Sequence, residues 1–126
     1  MSAHPLFLIV VFDGLRPDMV TPNTMPHLSR FMANGTNFTN ARTVFPSSTR
    51  PAAAALATGS TPRRNGIVHN KYFDPNVFDD RMFQPNQVSD IEAGMSAYAG
   101  GLLTTPSLGD LAAEADYTMA VLLSRS

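Results

Sequence analysis

Seven consecutive apolar residues, Leu6-Phe7-Leu8-Ile9-Val10-Val11-Phe12, end at Asp13-Gly14. A short run with no polar position, rich in branched side chains, reads as a strand buried on both faces, the kind a parallel sheet holds in its interior. Seven residues fall far short of the about 20 that a membrane-spanning helix needs. Asp13-Gly14 is a turn signal, and Pro17 blocks an immediate helix. Only Met1-Ser2-Ala3-His4-Pro5 precedes the run. That stretch lacks the basic n-region of a secretory leader, and no small-residue cleavage site follows the run. The expectation is a soluble, cytoplasmic chain with no membrane partner.

The remaining pattern alternates helix and strand signals. Thr21 to Gly35 predicts a helix: Asn23 or Thr24 as cap, Pro26 in the first turn, a Leu28, Phe31, Met32 stripe, and Gly35 as the stop. Asn37 to Phe45 alternates weakly and predicts a second strand. Pro51 to Ala57 is alanine-rich, opens on a proline and ends at Thr58-Gly59, which predicts a short helix. Ser60 to Asn70 reads as a loop. Lys71 to Thr105 gives the weakest pattern, with room for a lid or hairpin. Ser107 to Ala115 predicts a helix, with Ser107 and Asp110 as a capping box. Tyr117 to Leu123 predicts a last buried strand. The fold class expected is α/β, a mostly parallel sheet flanked by helices. About three strands leave open edges and thin helical cover, so residues 1–126 read as the N-terminal portion of one larger, incomplete domain.

Composition narrows the function classes. Of 126 residues 44% are hydrophobic and 15% charged, with a net charge of -1, which excludes a disordered polar chain. There is no basic excess to neutralise the phosphates of a nucleic-acid polymer. Without cysteine there is no disulfide framework, thiolate metal cluster or cysteine nucleophile.

Three residues stand where chemistry is plausible. Asp13 follows the first buried run, at the strand end where open α/β sheets bind ligands. It fits either a metal ligand or a turn aspartate bonded to backbone amides. Thr49 opens the helix before Arg50-Pro51, where free N–H groups favour an anion; it fits either an activated nucleophile or an N-cap. Asn70 closes Asn65-Gly66-Ile67-Val68-His69-Asn70 and fits either a donor to an oxyanion or a turn residue. His4, His27 and His69 show no paired ligand spacing. Tyr72, Phe73, Phe78, Met82 and Phe83 fit either a pocket or a core.

In order along the chain, five blocks stand out: Val11-Phe12-Asp13-Gly14-Leu15-Arg16-Pro17-Asp18, Met25-Pro26-His27-Leu28, Phe45-Pro46-Ser47-Ser48-Thr49-Arg50-Pro51, Thr58-Gly59-Ser60-Thr61-Pro62 and Gly66-Ile67-Val68-His69-Asn70. Together they resemble the type I phosphodiesterase/nucleotide pyrophosphatase family of the alkaline phosphatase superfamily. The likeness runs from Leu6 to about Phe73 and returns at Thr105-Pro106-Ser107-Leu108-Gly109-Asp110 and the last predicted strand.

The resemblance implies hydrolysis of phosphodiester or pyrophosphate bonds in a small phosphorylated, nucleotide-type substrate. It implies Thr49 as the nucleophile that forms a phosphothreonine, Asn70 as the holder of a phosphoryl oxygen, and Asp13 with Thr49 as ligands of one of two zinc ions. The other ligands in this family are aspartates and histidines from later strands and loops, so at most one partial zinc site is expected here. Ala52-Ala53 and Asn65 stand where family members often carry Asn-His and His, and Arg50 stands where an apolar or aromatic residue is frequent. These departures bear on the substrate more than on the reaction. An inactive truncated remnant and a phosphonate hydrolase (phosphonoacetate type) of the same superfamily are the alternatives. A sulfatase fits poorly, because Thr49-Arg50-Pro51 lacks the Cys/Ser-x-Pro-x-Arg pattern. Oligomeric state stays open at this level.

Overall fold

The computed structural model of the chain describes residues 6–122, in two units, Met1–Ala41 and Arg42–Ser126. The leader reading of Met1–Pro5, and His4 with it, falls outside the described residues, as does Leu123 at the end of the last predicted strand.

In the first unit, residues 6–12 form neither helix nor strand, and their side chains run from 92% exposed at Leu6 to 52% at Phe12. A strand exists only within a hydrogen-bonded ladder, and among the described residues no other segment pairs with this one. The run ends in a turn in which the Leu15 N–H donates to the Phe12 carbonyl at 3.3 Å. Gly14 sits there at φ 73°, a conformation that glycine adopts without a Cβ penalty. Within the stretch Thr21 to Gly35, read as a helix with its caps, helix α1 spans Pro26–Ala33. A residue before proline is pushed out of the helical region, and Met25 accordingly lies at φ −139°, ψ 66°. Neither Asn23 nor Thr24 caps the helix. Thr21 and Thr24 instead bond each other, hydroxyl to hydroxyl, at 2.8 Å in the turn before it. Leu28 and Met32 are half-buried, whereas Phe31 is exposed. Asn34 is the C-terminal cap, its Nδ2 donating to the Arg30 carbonyl at 2.8 Å.

The second unit carries four helices among the described residues: α2 Thr49–Thr58, α3 Pro62–Asn65, α4 Val88–Ala97 and α5 Leu108–Glu114. Helix α2 contacts α3 and α5. Helix α2 ends as its composition predicts, on Gly59 at φ 62°, whose N–H returns to the Ala55 carbonyl at 2.8 Å. Helix α3 lies inside the stretch expected to be a loop. Pro62 starts it without wasting a donor, and Gly66 at φ 91° ends it. Helix α5 has the capping box foreseen: Asp110 N–H donates to Ser107 Oγ at 3.2 Å, and Ser107 N–H to Asp110 Oδ2 at 2.7 Å. Asp116 at φ 58° turns the chain out of α5. The predicted strands at 37–45 and 117–122 form no ladder. A turn closed by Ala41 N–H on the Phe38 carbonyl at 3.3 Å occupies the first.

The segment with the weakest sequence pattern builds much of the core. Tyr72 and Phe83 form an antiparallel bridge, with N–H to carbonyl distances of 3.1 and 2.8 Å, and their rings lie 5.3 Å apart. Phe83 is fully buried and Ile67 nearly so. Burial, with help from the Asp74 carboxylate and Tyr98, pushes the Tyr72 hydroxyl up to about 12. Tyr98 donates to Asp74 and lies 2.8 Å from both carboxylate oxygens. Helix α4 turns Asp90 and Gly94 inward, one helical turn apart. Asp90 is 2% exposed and takes a two-point fork from Arg81, Nη1 at 2.9 Å and Nη2 at 2.8 Å, plus the Gln84 N–H at 2.9 Å. The Arg81 guanidinium also lies 3.5 Å over the Phe78 ring, a cation–π contact. Gly94 lets Leu102 and Phe83 approach the helix: a Cβ there would stand 2.4 Å from Leu102 Cδ2 and 3.3 Å from Phe83 Cε2.

Two expected outcomes follow from this core. Hydrogen bonds from Arg81 and the Gln84 amide hold the Asp90 carboxyl down to about 2, below its ordinary range. Its contribution to stability is therefore complete above about pH 4 and is lost as pH falls towards 2. Urea midpoints measured from pH 5 to pH 2 should fall steeply for the wild type and less for Asp90→Asn; parallel curves would contradict the assignment. At Gly66 an added Cβ would meet the Leu102 carbonyl oxygen at 3.0 Å at a left-handed φ, so Gly66→Ala should cost about 1–3 kcal/mol. An unchanged urea midpoint would show that this turn is not constrained.

Candidate active site

The start of α2 sets the geometry. Ser48 is the extended residue before the helix, at φ −112° and ψ 159°; it makes no side-chain cap bond, and its buried hydroxyl has no hydrogen-bond partner among the described residues. Thr49 is the first helical residue and is exposed. Pro51, fully buried, anchors the first turn, where a missing N–H leaves no orphan donor. The first turn carries the positive end of the helix dipole, and the Ala52 N–H within it bonds the Ser48 carbonyl at 3.0 Å.

Asn70 is brought to this turn. The Arg50 backbone N–H donates to Asn70 Oδ1 at 2.9 Å, and the Arg50 guanidinium, through Nη1, donates to the Asn70 carbonyl oxygen. An N–H donor fixes which end of the amide faces it, so the remaining donors of this side chain are the two Nδ2 hydrogens. Thr49 and Asn70, twenty-one residues apart in sequence, are thereby adjacent through Arg50.

The turn between them is built on Asn65, which is fully buried. Its Nδ2 donates to the Ser60 carbonyl at 3.0 Å and lies 3.4 Å from Thr58 Oγ1, and its Oδ1 accepts from the Ile67 N–H at 3.0 Å. The Thr104 N–H closes on the Asn65 carbonyl at 3.2 Å. Asn65 is therefore a structural residue of the site. Its fixed amide, not an imidazole, organises the return of the chain from α2 to Asn70.

The other candidates sort plainly. Asp13 lies in the turn after the apolar run, in the first unit. His69 is exposed, and His27 on α1 neighbours Arg30, Nη2 to Nδ1 at 3.4 Å. Tyr72 and Phe83 belong to the core, and Phe78 lies under Arg81, while Phe73 and Met82 are exposed. Arg50 is the residue whose role spacing did not reveal: a cation after a threonine carries no signal that it grips a loop twenty residues on.

Among the described residues no group of three or more His, Asp or Glu side chains is placed to hold a metal ion. A zinc site takes three or four protein ligands. Asp13 and Thr49 supply two by expectation, so the described donor set falls short of a zinc site. Among these residues no helix is long and apolar enough to cross a membrane.

The sequence profile of the type I phosphodiesterase / nucleotide pyrophosphatase family matches residues 7–122. The chain is 36% identical over 76 residues to a bis(5'-adenosyl)-triphosphatase of Xenopus laevis, covering 60% of this chain and 17% of that protein. It is 32% identical over 75 residues to human ectonucleotide pyrophosphatase/phosphodiesterase family member 1, covering 58% and 8%. It is 28% identical over 114 residues to ectonucleotide pyrophosphatase/phosphodiesterase 1 of Saccharomyces cerevisiae, covering 78% and 15%. The chain thus spans less than a fifth of the length of these curated relatives. No solved structure matches it significantly. With nearly its whole length matched by that profile, the chain belongs to the type I phosphodiesterase/nucleotide pyrophosphatase family.

Proposed function

We propose that the chain carries the nucleophile and a phosphoryl-oxygen donor for hydrolysis of phosphodiester or pyrophosphate bonds in nucleotide-type substrates. The observation that carries this reading is the hydrogen bond from the Arg50 N–H to Asn70 Oδ1. It aims an amide at the helix start that presents Thr49. Thr49 Oγ1 forms a bond to phosphorus as the bond to the leaving oxygen breaks, the hydroxyl proton is lost, and the leaving oxygen gains one. Water then cleaves the phosphothreonine. Asn70 Nδ2 donates to a non-bridging oxygen, and the positive end of α2 favours the charge that builds there. A dinucleoside polyphosphate, the substrate kind in the Xenopus relative's name, fits this chemistry.

Metal dependence is part of the same proposal, with two zinc ions in the family's complete domain and Asp13 and Thr49 as the ligands contributed here. These two fall short of a ligand set, so no step is assigned to the metal. The mostly parallel sheet belongs to the proposal as well. Leu6 to Phe12 is apolar at every position and exposed along its length, which suits a strand awaiting neighbours on both faces. A cytoplasmic location is the remaining part and rests on the sequence alone.

The test is turnover of a nitrophenyl nucleotide diester by the full chain with added zinc, coupled to acid quench and peptide mass spectrometry. Thr49→Ala should lower turnover on the order of a thousandfold or more and abolish the phosphopeptide, with circular dichroism unchanged. Phosphate trapped on another residue, or no turnover by the wild type, would overturn the reading.

A further inference from the structure

The charges at the start of α2 are not those that helix stability selects. A helix N-terminus is stabilised by a side-chain acceptor at the cap and by Asp or Glu in the first turn. In helix α2 the side chain of the cap residue Ser48 makes no cap bond and the first turn holds no acidic residue; the side-chain acceptor there is the neutral amide oxygen of Asn70. Arg50 adds a full positive charge to the pole that is already positive. Local sequence choices that work against stability are expected where a ligand compensates them.

Among the described residues the Arg50 head group is held in place without an ion-pair partner. Its Nη1 donates to the Asn70 carbonyl, a neutral acceptor, and the residue is half-buried. The ion pair described within this unit, Arg81 with Asp90, lies on other elements. Most of the guanidinium's donors remain for a partner, in a planar fork that suits a phosphoryl group or a carboxylate.

We propose that Arg50 is a specificity-determining residue whose guanidinium binds a second anionic group of the substrate, next to the phosphoryl group attacked by Thr49. The inference rests on the roles given above to Thr49 and Asn70 and extends them to substrate choice. A substrate bearing a further phosphoryl group pairs with the fork. One whose second substituent is a neutral aryl group leaves the fork unpaired. The backbone N–H of residue 50 still aims Asn70 in any variant but proline, so the guanidinium is separable from the aim.

Steady-state constants should be measured for the wild type, Arg50→Met and Arg50→Lys of the full chain. The two substrates are a nucleoside 5'-phosphate nitrophenyl ester and a dinucleoside triphosphate. The ratio of kcat/KM for the triphosphate over the ester should fall about tenfold in Arg50→Met, mainly through KM, as expected for one lost charge-assisted hydrogen bond. Arg50→Lys should recover part of it. Equal losses on both substrates would mean that Arg50 only positions Asn70, and the proposal would be overturned; so would an unchanged ratio. If the wild type turns over neither substrate, the hydrolase reading fails, and calorimetry with inorganic pyrophosphate and orthophosphate decides the inference separately. A pyrophosphate preference that Arg50→Met removes supports it, and equal affinities, or no binding, sink it.

Discussion

A primary amide buried without water has to meet its hydrogen-bonding capacity inside the protein or lose several kcal/mol. Asn65 meets its own by tying three points of the chain together: Ser60 after α2, Ile67 after α3, and the hydroxyl of Thr58 nearby. That closure forces the chain to double back beside α2. Doubling back delivers Asn70 to the helix start, where the Arg50 N–H receives it. The site is thus a product of one buried side chain acting on loop geometry. It does not depend on a wide apolar core, and the core of this unit is small.

Around that turn the unit uses polar contacts at places where a larger domain would use hydrocarbon. Asp90 sits at the centre of the inward side of α4, and only the fork from Arg81 and the Gln84 amide makes its burial tolerable. Gly94, one turn on, has no side chain to bury and serves by letting Phe83 and Leu102 close in. Phe83 then packs its ring at a tilt against Tyr72, whose bridge holds the segment that follows Asn70. Structure and site therefore share a stretch of chain.

The legible parts of the sequence were those whose signal is local. Ser107 with Asp110 announces α5, and Gly59 announces the end of α2, because each acts on its own neighbours. Thr49 and Asn70 were singled out through ordered blocks of a family pattern, and the Arg50 N–H holds Asn70 beside the helix turn that Thr49 opens. Helix α4 was hidden because its inward residues are an aspartate and a glycine, the reverse of an apolar stripe. The cap of α1 falls at Met25, one or two residues after the expected Asn23 or Thr24, because Pro26 restricts the backbone of the residue before it. Strand pairing is non-local. An apolar run such as Leu6 to Phe12 states a preference for burial, but which neighbour satisfies it is written elsewhere. The grip of Arg50 on Asn70 was equally hidden, since it joins positions that no short window contains.

One detail of that grip bears on how such a site diversifies. The donor that aims Asn70 is a main-chain group, common to every amino acid but proline. A codon change at position 50 can therefore swap the head group beside Asn70 while the amide keeps its bearing. Side chains of any charge or size can be tried at that corner one substitution at a time, without first rebuilding the turn that holds the amide.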